Sequence, residues 1–186
     1  MRPVPLHLRE MVRNSKTLFF IENWSLGGLS TESYQEFFRL HQGRWKKVKP
    51  DFILIQLGTN DVTPLLQGKY DLAKFKQNLQ TIVKNFKKFQ SSQKKPPRIL
   101  IASIPLLSGG VAAKGKNRLV RKSINPAIKK VARKENLSVV DNCSILMKKP
   151  GWYEIDGAHP NPRGEIALAR NWLNGIKKEL RLRHRR

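Results

Sequence analysis

The chain has 186 residues, with 37 Lys+Arg against 13 Asp+Glu and a formal charge of +24 at neutral pH. That length suits one domain, since domains usually run about 100–200 residues, and a hydrophobic share of 39% excludes wholesale disorder. The single cysteine, Cys143, excludes an intramolecular disulfide framework and a multi-cysteine metal site, and four scattered histidines exclude a His-rich cluster.

Residues 4–14 (VPLHLREMVRN) read as a short opening helix, and the N-terminal stretch has no apolar run after its basic residues of the kind a secretion leader needs. The run TLFFIE (17–22) reads as a strand. Ser30 or Thr31 is placed to cap a helix that buries Tyr34, Phe37 and Phe38. FILIQL (52–57) is the next strand, followed by a helix over 71–89 in which Leu72, Phe75, Leu79, Ile82, Val83, Phe86 and Phe89 recur at helical spacing. After a connecting loop at 91–97 come a strand over 98–104 (RILIASI) and a longer loop over 105–123. Ile124, Ile128 and Val131 mark a further helix ahead of LSVVD (137–141). Asn161 as N-cap and Pro162 at the first helical position open the last helix, with Ile166, Ala169, Leu173, Ile176 and Leu180 on one face.

None of the four apolar runs alternates cleanly, which suits strands covered on both faces of a parallel sheet. Their alternation with helices predicts an α/β sandwich around a mostly parallel sheet. No apolar stretch approaches the roughly 18–20 residues that a membrane span needs, so the chain by itself reads as cytoplasmic. Secretion remains open should a further segment precede it.

The basic residues are spread along the chain, and residues 108–123 carry five of them with no acid. No zinc-finger spacing, RNA-recognition motif or aromatic-interleaved basic strand accompanies them. They read first as a solvated cationic surface, with weak, salt-sensitive adsorption to polyanions as a by-product. A dedicated DNA-binding protein is poorly supported.

In open α/β sheets functional groups collect on the loops at the carboxyl ends of the strands. Three such loops stand out: NWSLGGLST (23–31), GTND (58–61) and DGAHPNPRGE (156–165). In the last, Asp156 and His159 lie three apart with a glycine between, so a turn lets the carboxylate orient the imidazole as in a general base. Taken alone, the same residues also make an ordinary turn with an incidental histidine. GTND alone also makes an Asx-turn, and paired glycines mostly serve tight turns.

Taken together, Gly28, the strand-borne GTND with Asn60, and Asp156-x-x-His159-Pro-Asn resemble the SGNH (GDSL-type) hydrolase superfamily. DFILIQLGTND matches its Asn block and DGAHPNPRGEIALA its Asp/His block. The stretch INPAIKKVARKENLSVVDNCSILMKKP resembles carbohydrate-esterase and sialate O-acetylesterase-like members. The resemblance implies a three-layer α/β/α sandwich with a flavodoxin-like sheet. It also implies hydrolysis of a carbohydrate or small ester through an acyl-serine intermediate, without metal or organic cofactor. His159 would be the general base and Asp156 its orienting carboxylate. The Gly28 N–H and the Asn60 side-chain amide would donate to the oxyanion.

The family's first block, a strand ending in Gly-Asp-Ser, has no counterpart in the 186 residues. Ser15, Ser25 and Ser30 do not occupy the nucleophile's place. The expectation is therefore an SGNH-like domain over 1–176 that lacks its first strand, followed by a basic tail over 177–186. The nucleophilic serine would lie upstream, and the chain alone would be inactive. The alternative is a non-catalytic member of the fold that binds a polyanion or carbohydrate through its basic surface.

Overall fold

The computed structural model describes residues 4–13, 20–109, 111–147 and 149–183. Among these, three strands form one parallel sheet in the order β1 (Phe52–Ile55), β2 (Arg98–Ala102), β3 (Ser138–Val140). In register Ile53 faces Ile99 across the first pair and Ile101 faces Val139 across the second.

Because successive strand residues point to opposite faces, the apolar runs feed two separate cores. Ile53, Ile55, Ile99 and Ile101 enter one core. There they meet Tyr34, Phe38 and Trp45 of α2 (Ser33–Val48), Phe75, Leu79, Val83 and Phe86 of α4 (Leu72–Lys87), and Ile128 and Val131 of α6 (Asn125–Lys134). Leu100, Ala102 and Val140 enter the other. They pack on Leu8 and Val12 of α1 (Val4–Arg13) and on Ala169, Trp172 and Ile176 of α8 (Pro162–Arg183). Both faces are covered, which gives the three-layer α/β/α sandwich. Each fully buried aromatic or branched side chain contributes roughly 1.5–3 kcal/mol. Helix α8 approaches the sheet closely at Gly175, where a Cβ would lie 2.8 Å from Val140 Cγ2.

Local signals place the helices. The Asp71 carboxylate accepts the Lys74 N–H at 2.7 Å and caps α4. Ahead of α2, Ser30 Oγ accepts the Ser33 N–H at 3.2 Å, whereas Thr31 turns away to another partner described below. At α8, Asn161 Oδ1 accepts from the N–H groups of Arg163 and Gly164. That helix continues to Arg183, into the segment read from sequence as a basic tail. Two short helices, α3 (Val62–Leu66) and α7 (Asn142–Leu146), sit in the connections that follow β1 and β3.

Two sequence expectations need correction. Of the strand expected over 17–22, residues 17–19 lie outside the described residues and Phe20–Glu22 are not in a strand. A strand needs a neighbour to satisfy its backbone, and the outer edge of β1 pairs with nothing among the described residues. Instead Phe20 is 82% exposed, and the Ile21 carbonyl accepts Arg9 Nη2 of α1 at 2.6 Å. The second correction concerns 105–123. Only its first part is a loop; α5 (Val111–Leu119) and a π-helical turn (Val120–Ile124) run directly into α6. Gly115 and the dense lysines masked a helical pattern whose inward side is Ala113, Val120 and Ile124.

Candidate active site

The Asp156–His159 turn is built by its own backbone. Tyr153 and Pro160 form an antiparallel bridge, and the Glu154 N–H donates to the His159 carbonyl at 2.8 Å. Within the turn, Asp156 Oδ1 accepts the N–H groups of Ala158 (2.8 Å) and His159 (2.9 Å). Its other oxygen meets His159 Nδ1 at 2.5 Å. The His159 N–H, the His159 ring and then the Ala158 N–H together hold the Asp156 carboxyl down at about 2. An ionised carboxylate on Nδ1 fixes the tautomer that leaves Nε2 as the acceptor. Nε2 has no hydrogen-bond partner among the described residues, and the ring is 72% exposed.

Gly157 gives the turn its position. Its φ of +64° suits glycine, and a Cβ there would lie 2.0 Å from the Ser108 carbonyl oxygen. The Ser108 N–H donates to the Gly157 carbonyl at 2.6 Å, and the Tyr153 hydroxyl donates to the Leu106 carbonyl. The segment after β2 therefore carries the Asp/His turn.

The second half of the site joins the loops before α2 and after β1. Asn60 Nδ2 donates to the Leu29 carbonyl at 3.1 Å, next to Gly28, whose φ is +83°. An amide nitrogen has two N–H groups, so one anchors the loop and one is left over. The Gly28 N–H has no partner among the described residues, and Gly28 is exposed. Trp24 stacks on Trp45 with centroids 5.0 Å apart, fixing the start of this loop on α2.

Sequence reasoning passed over the residue that clasps these loops. Asp61 is fully buried, with 0% exposure. Its carboxylate accepts the Thr31 N–H at 3.0 Å, the Thr31 hydroxyl at 2.5 Å and the Tyr70 hydroxyl. The signal was the fourth letter of GTND, read only as turn chemistry. Burial first, then the Asp61 contact, push the Tyr70 hydroxyl well above its ordinary value and keep it a donor.

Asp156 and His159 are thus in direct contact, and Asn60 is tied in beside Gly28. No hydrogen bond joins the two pairs among the described residues. The segment 104–108 borders the loops that carry Asn60 and His159: a Cβ on Gly58 would lie 3.5 Å from Ile104 Cγ2, while Ser108 holds Gly157. Of the serines considered from sequence, Ser25 Oγ bonds Asn23 and Ser30 Oγ lies 3.2 Å from Ser33 Oγ; Ser15 lies outside the described residues. Among the described residues no group of three or more His, Cys, Asp or Glu is placed to hold a metal ion.

A profile of GDSL-like lipases and acylhydrolases matches residues 6–165. The chain belongs to the GDSL-like lipase/acylhydrolase family. An acetylxylan esterase of Xylanibacter ruminicola is 23% identical to this GDSL-like chain over 175 residues, covering 86% of it; the chain spans only 36% of that relative's length. An acetylxylan esterase of Geobacillus stearothermophilus has the same fold, with a TM-score of 0.71 at 20% identity over 94% of this chain and 81% of that one. A lipase/acylhydrolase of Enterococcus faecalis superimposes with a TM-score of 0.75 at 20% identity, over 95% and 85% of the two chains. Variants of the Geobacillus esterase described as catalytic mutants replace a serine, an aspartate or a histidine by alanine, the last two being three positions apart.

Proposed function

We propose that this chain carries the base, the orienting carboxylate and the oxyanion donors of an ester hydrolase that deacylates a carbohydrate, acetylated xylan being the nearest model substrate. The observation that carries the reading is the Asp156–His159 contact. It combines an ionised carboxylate on Nδ1, a free Nε2, and the three-residue spacing of the aspartate and histidine mutated in the Geobacillus esterase. In this reading Nε2 takes the proton of a serine hydroxyl as that oxygen attacks the ester carbon. The carbonyl electron pair moves onto the oxygen, where the Gly28 N–H and the spare Asn60 N–H receive it. Collapse expels the sugar alkoxide, which takes the proton back from the imidazolium. Water then enters by the same base and releases the acid, conventionally acetate.

The serine belongs on a strand beside β1, whose outer edge is unpaired among the described residues. The test is a graft. A strand ending in Gly-Asp-Ser is fused ahead of residue 1, and p-nitrophenyl acetate and acetylated xylo-oligosaccharides are assayed with and without it. The ungrafted chain is expected to be inactive. The folded graft is expected to gain hydrolysis that falls by orders of magnitude in His159→Ala and Asp156→Ala, and by about 10²–10³ in Asn60→Ala. A folded graft without activity, or activity indifferent to His159, overturns the reading.

A further inference from the structure

The helical run α5–π-turn–α6 carries a cationic stripe that the proposed chemistry does not use. Lys114, Arg118, Arg121 and Lys122 follow at spacings of three and four and Lys129 comes seven residues on, and all five line one cavity. The opposite side, Val120, Ile124, Ile128 and Val131, is buried in the core. These five cations line a cavity of about 690 Å³ with Ser103, Asn125, Asp141 and Cys143. Its floor is the carboxyl ends of β2 and β3, where ligands bind in open α/β sheets. Its volume lies within the roughly 300–1,000 Å³ of small-molecule sites, far more than a lone inorganic anion fills.

Three observations point to an anionic occupant. First, the cations outnumber the one carboxylate in the cavity, Asp141, which feels Lys129. Residues 108–134 contain no acid, and none of the five makes an ion pair among the described residues. Second, the one carboxylate in the cavity is already engaged. Asp141 Oδ1 accepts from Ser103 Oγ at 2.8 Å and the Ser144 N–H at 3.2 Å, and Oδ2 accepts from Ser144 Oγ at 2.7 Å. Third, the stripe is held in place before any ligand arrives. The buried Asn125 amide donates to the Ile104 carbonyl at 3.0 Å and accepts its N–H at 2.9 Å. Asn117 does the same with Leu107, at 2.8 Å each way. Two such clamps, one on each side of the π-turn, fix the middle of the run on the segment after β2. The π-turn between them is a distortion found frequently at functional sites.

We infer that this cavity is a binding site for an organic molecule of saccharide size bearing phosphate or sulfate. Like charges gathered on one rigid face repel one another. A multiply charged oxyanion relieves that repulsion and accepts several charge-assisted hydrogen bonds at once. The site does not depend on His159 being a catalytic base.

Cys143 supplies a local readout, because it is the chain's one cysteine and lines the cavity. The rate of its alkylation by neutral iodoacetamide is followed in the full chain with a hexose 6-phosphate, a sulfated disaccharide, inorganic sulfate or an uncharged hexose. Calorimetric titration of the same compounds runs in parallel, so a slow thiol does not leave the question open. The phosphorylated or sulfated sugar is expected to bind and to protect Cys143, the uncharged hexose to do neither. Protection by inorganic sulfate at equal concentration would assign the recognition to the oxyanion alone; protection only by the sugar esters would add the saccharide. Arg118→Gln/Arg121→Gln is expected to weaken binding at least tenfold, on the scale of lost charged hydrogen bonds. Lys84→Gln/Lys88→Gln, with the same charge change at exposed positions on α4 and just past its end, should alter it less than about twofold. Equal weakening in both pairs would mean that the whole surface attracts any polyanion, nucleic acid included, and would overturn the site. So would absence of binding, or protection by the uncharged hexose.

Discussion

Replacing Thr31 by valine removes one hydroxyl and keeps the branched shape, so it isolates the clasp between the loop before α2 and the loop after β1. The Asp61 carboxylate is then left with the Thr31 N–H at 3.0 Å and the Tyr70 hydroxyl, and a methyl group takes the place of the donor at 2.5 Å. A hydrogen bond to a charged group contributes about 1.5–3 kcal/mol, and Asp61 has no access to water to replace it. For a domain of this size each kcal/mol moves the Tm by about 2–4 °C, so a fall of about 3–12 °C is expected. Thermal unfolding followed by tryptophan fluorescence suits the question, since the Trp24–Trp45 stack lies at the start of the same loop. Tyr70→Phe should cost a comparable amount. The double variant should depart from additivity by at least about 0.5 kcal/mol, because both hydroxyls serve one carboxylate. A Tm within about 1 °C of the parent in both single variants would refute the clasp.

Three more expectations follow from the same geometry. The Asp156 carboxyl carbon, followed by NMR, should titrate at about 2; its contribution to stability is present above the ordinary carboxyl range and lost as pH falls through that value. A midpoint near 4 would break the turn's hydrogen-bond scheme. Gly157→Ala should destabilise by about 2–3 kcal/mol, combining left-handed backbone strain with loss of the Ser108 bond, and amide exchange should accelerate across 153–160; unchanged protection there would contradict the close approach. The raised Tyr70 hydroxyl favours a fold in which it stays protonated, so stability should decline above about pH 10, where unfolded tyrosine ionises, and decline less in Tyr70→Phe.

The sheet and most helices were legible because their signals are local. Asn161 caps where a cap is expected, and Phe75 to Phe86 keep a helical period. The Asp156–His159 contact was legible for the same reason, being closed within four residues. What escaped depends on contacts distant in sequence. Asp61 meets Thr31 thirty residues away, and nothing in GTND announces that partner. The cationic cavity escaped because Lys114 to Lys129 straddle a segment read as loop then helix; their common side exists only once the run is continuous. The expectation for TLFFIE came from β-branched and aromatic content, which says that a segment suits a sheet and not whether a neighbour is there to receive it.

The outer edge of β1 has a consequence for the chain's behaviour as a population. Among the described residues nothing pairs with that edge, and an apolar strand left so is a template for another strand, including the same strand of a second molecule. At +24, two copies approaching edge to edge repel each other over a distance that salt sets, about 30 Å at 0.01 M and about 8 Å at physiological strength. Ionic strength thus acts as the guard on that edge. Light scattering should show separate molecules at low salt and growing assemblies as salt rises, opposite to the dissolution that salt brings to particles held together by attraction between unlike charges.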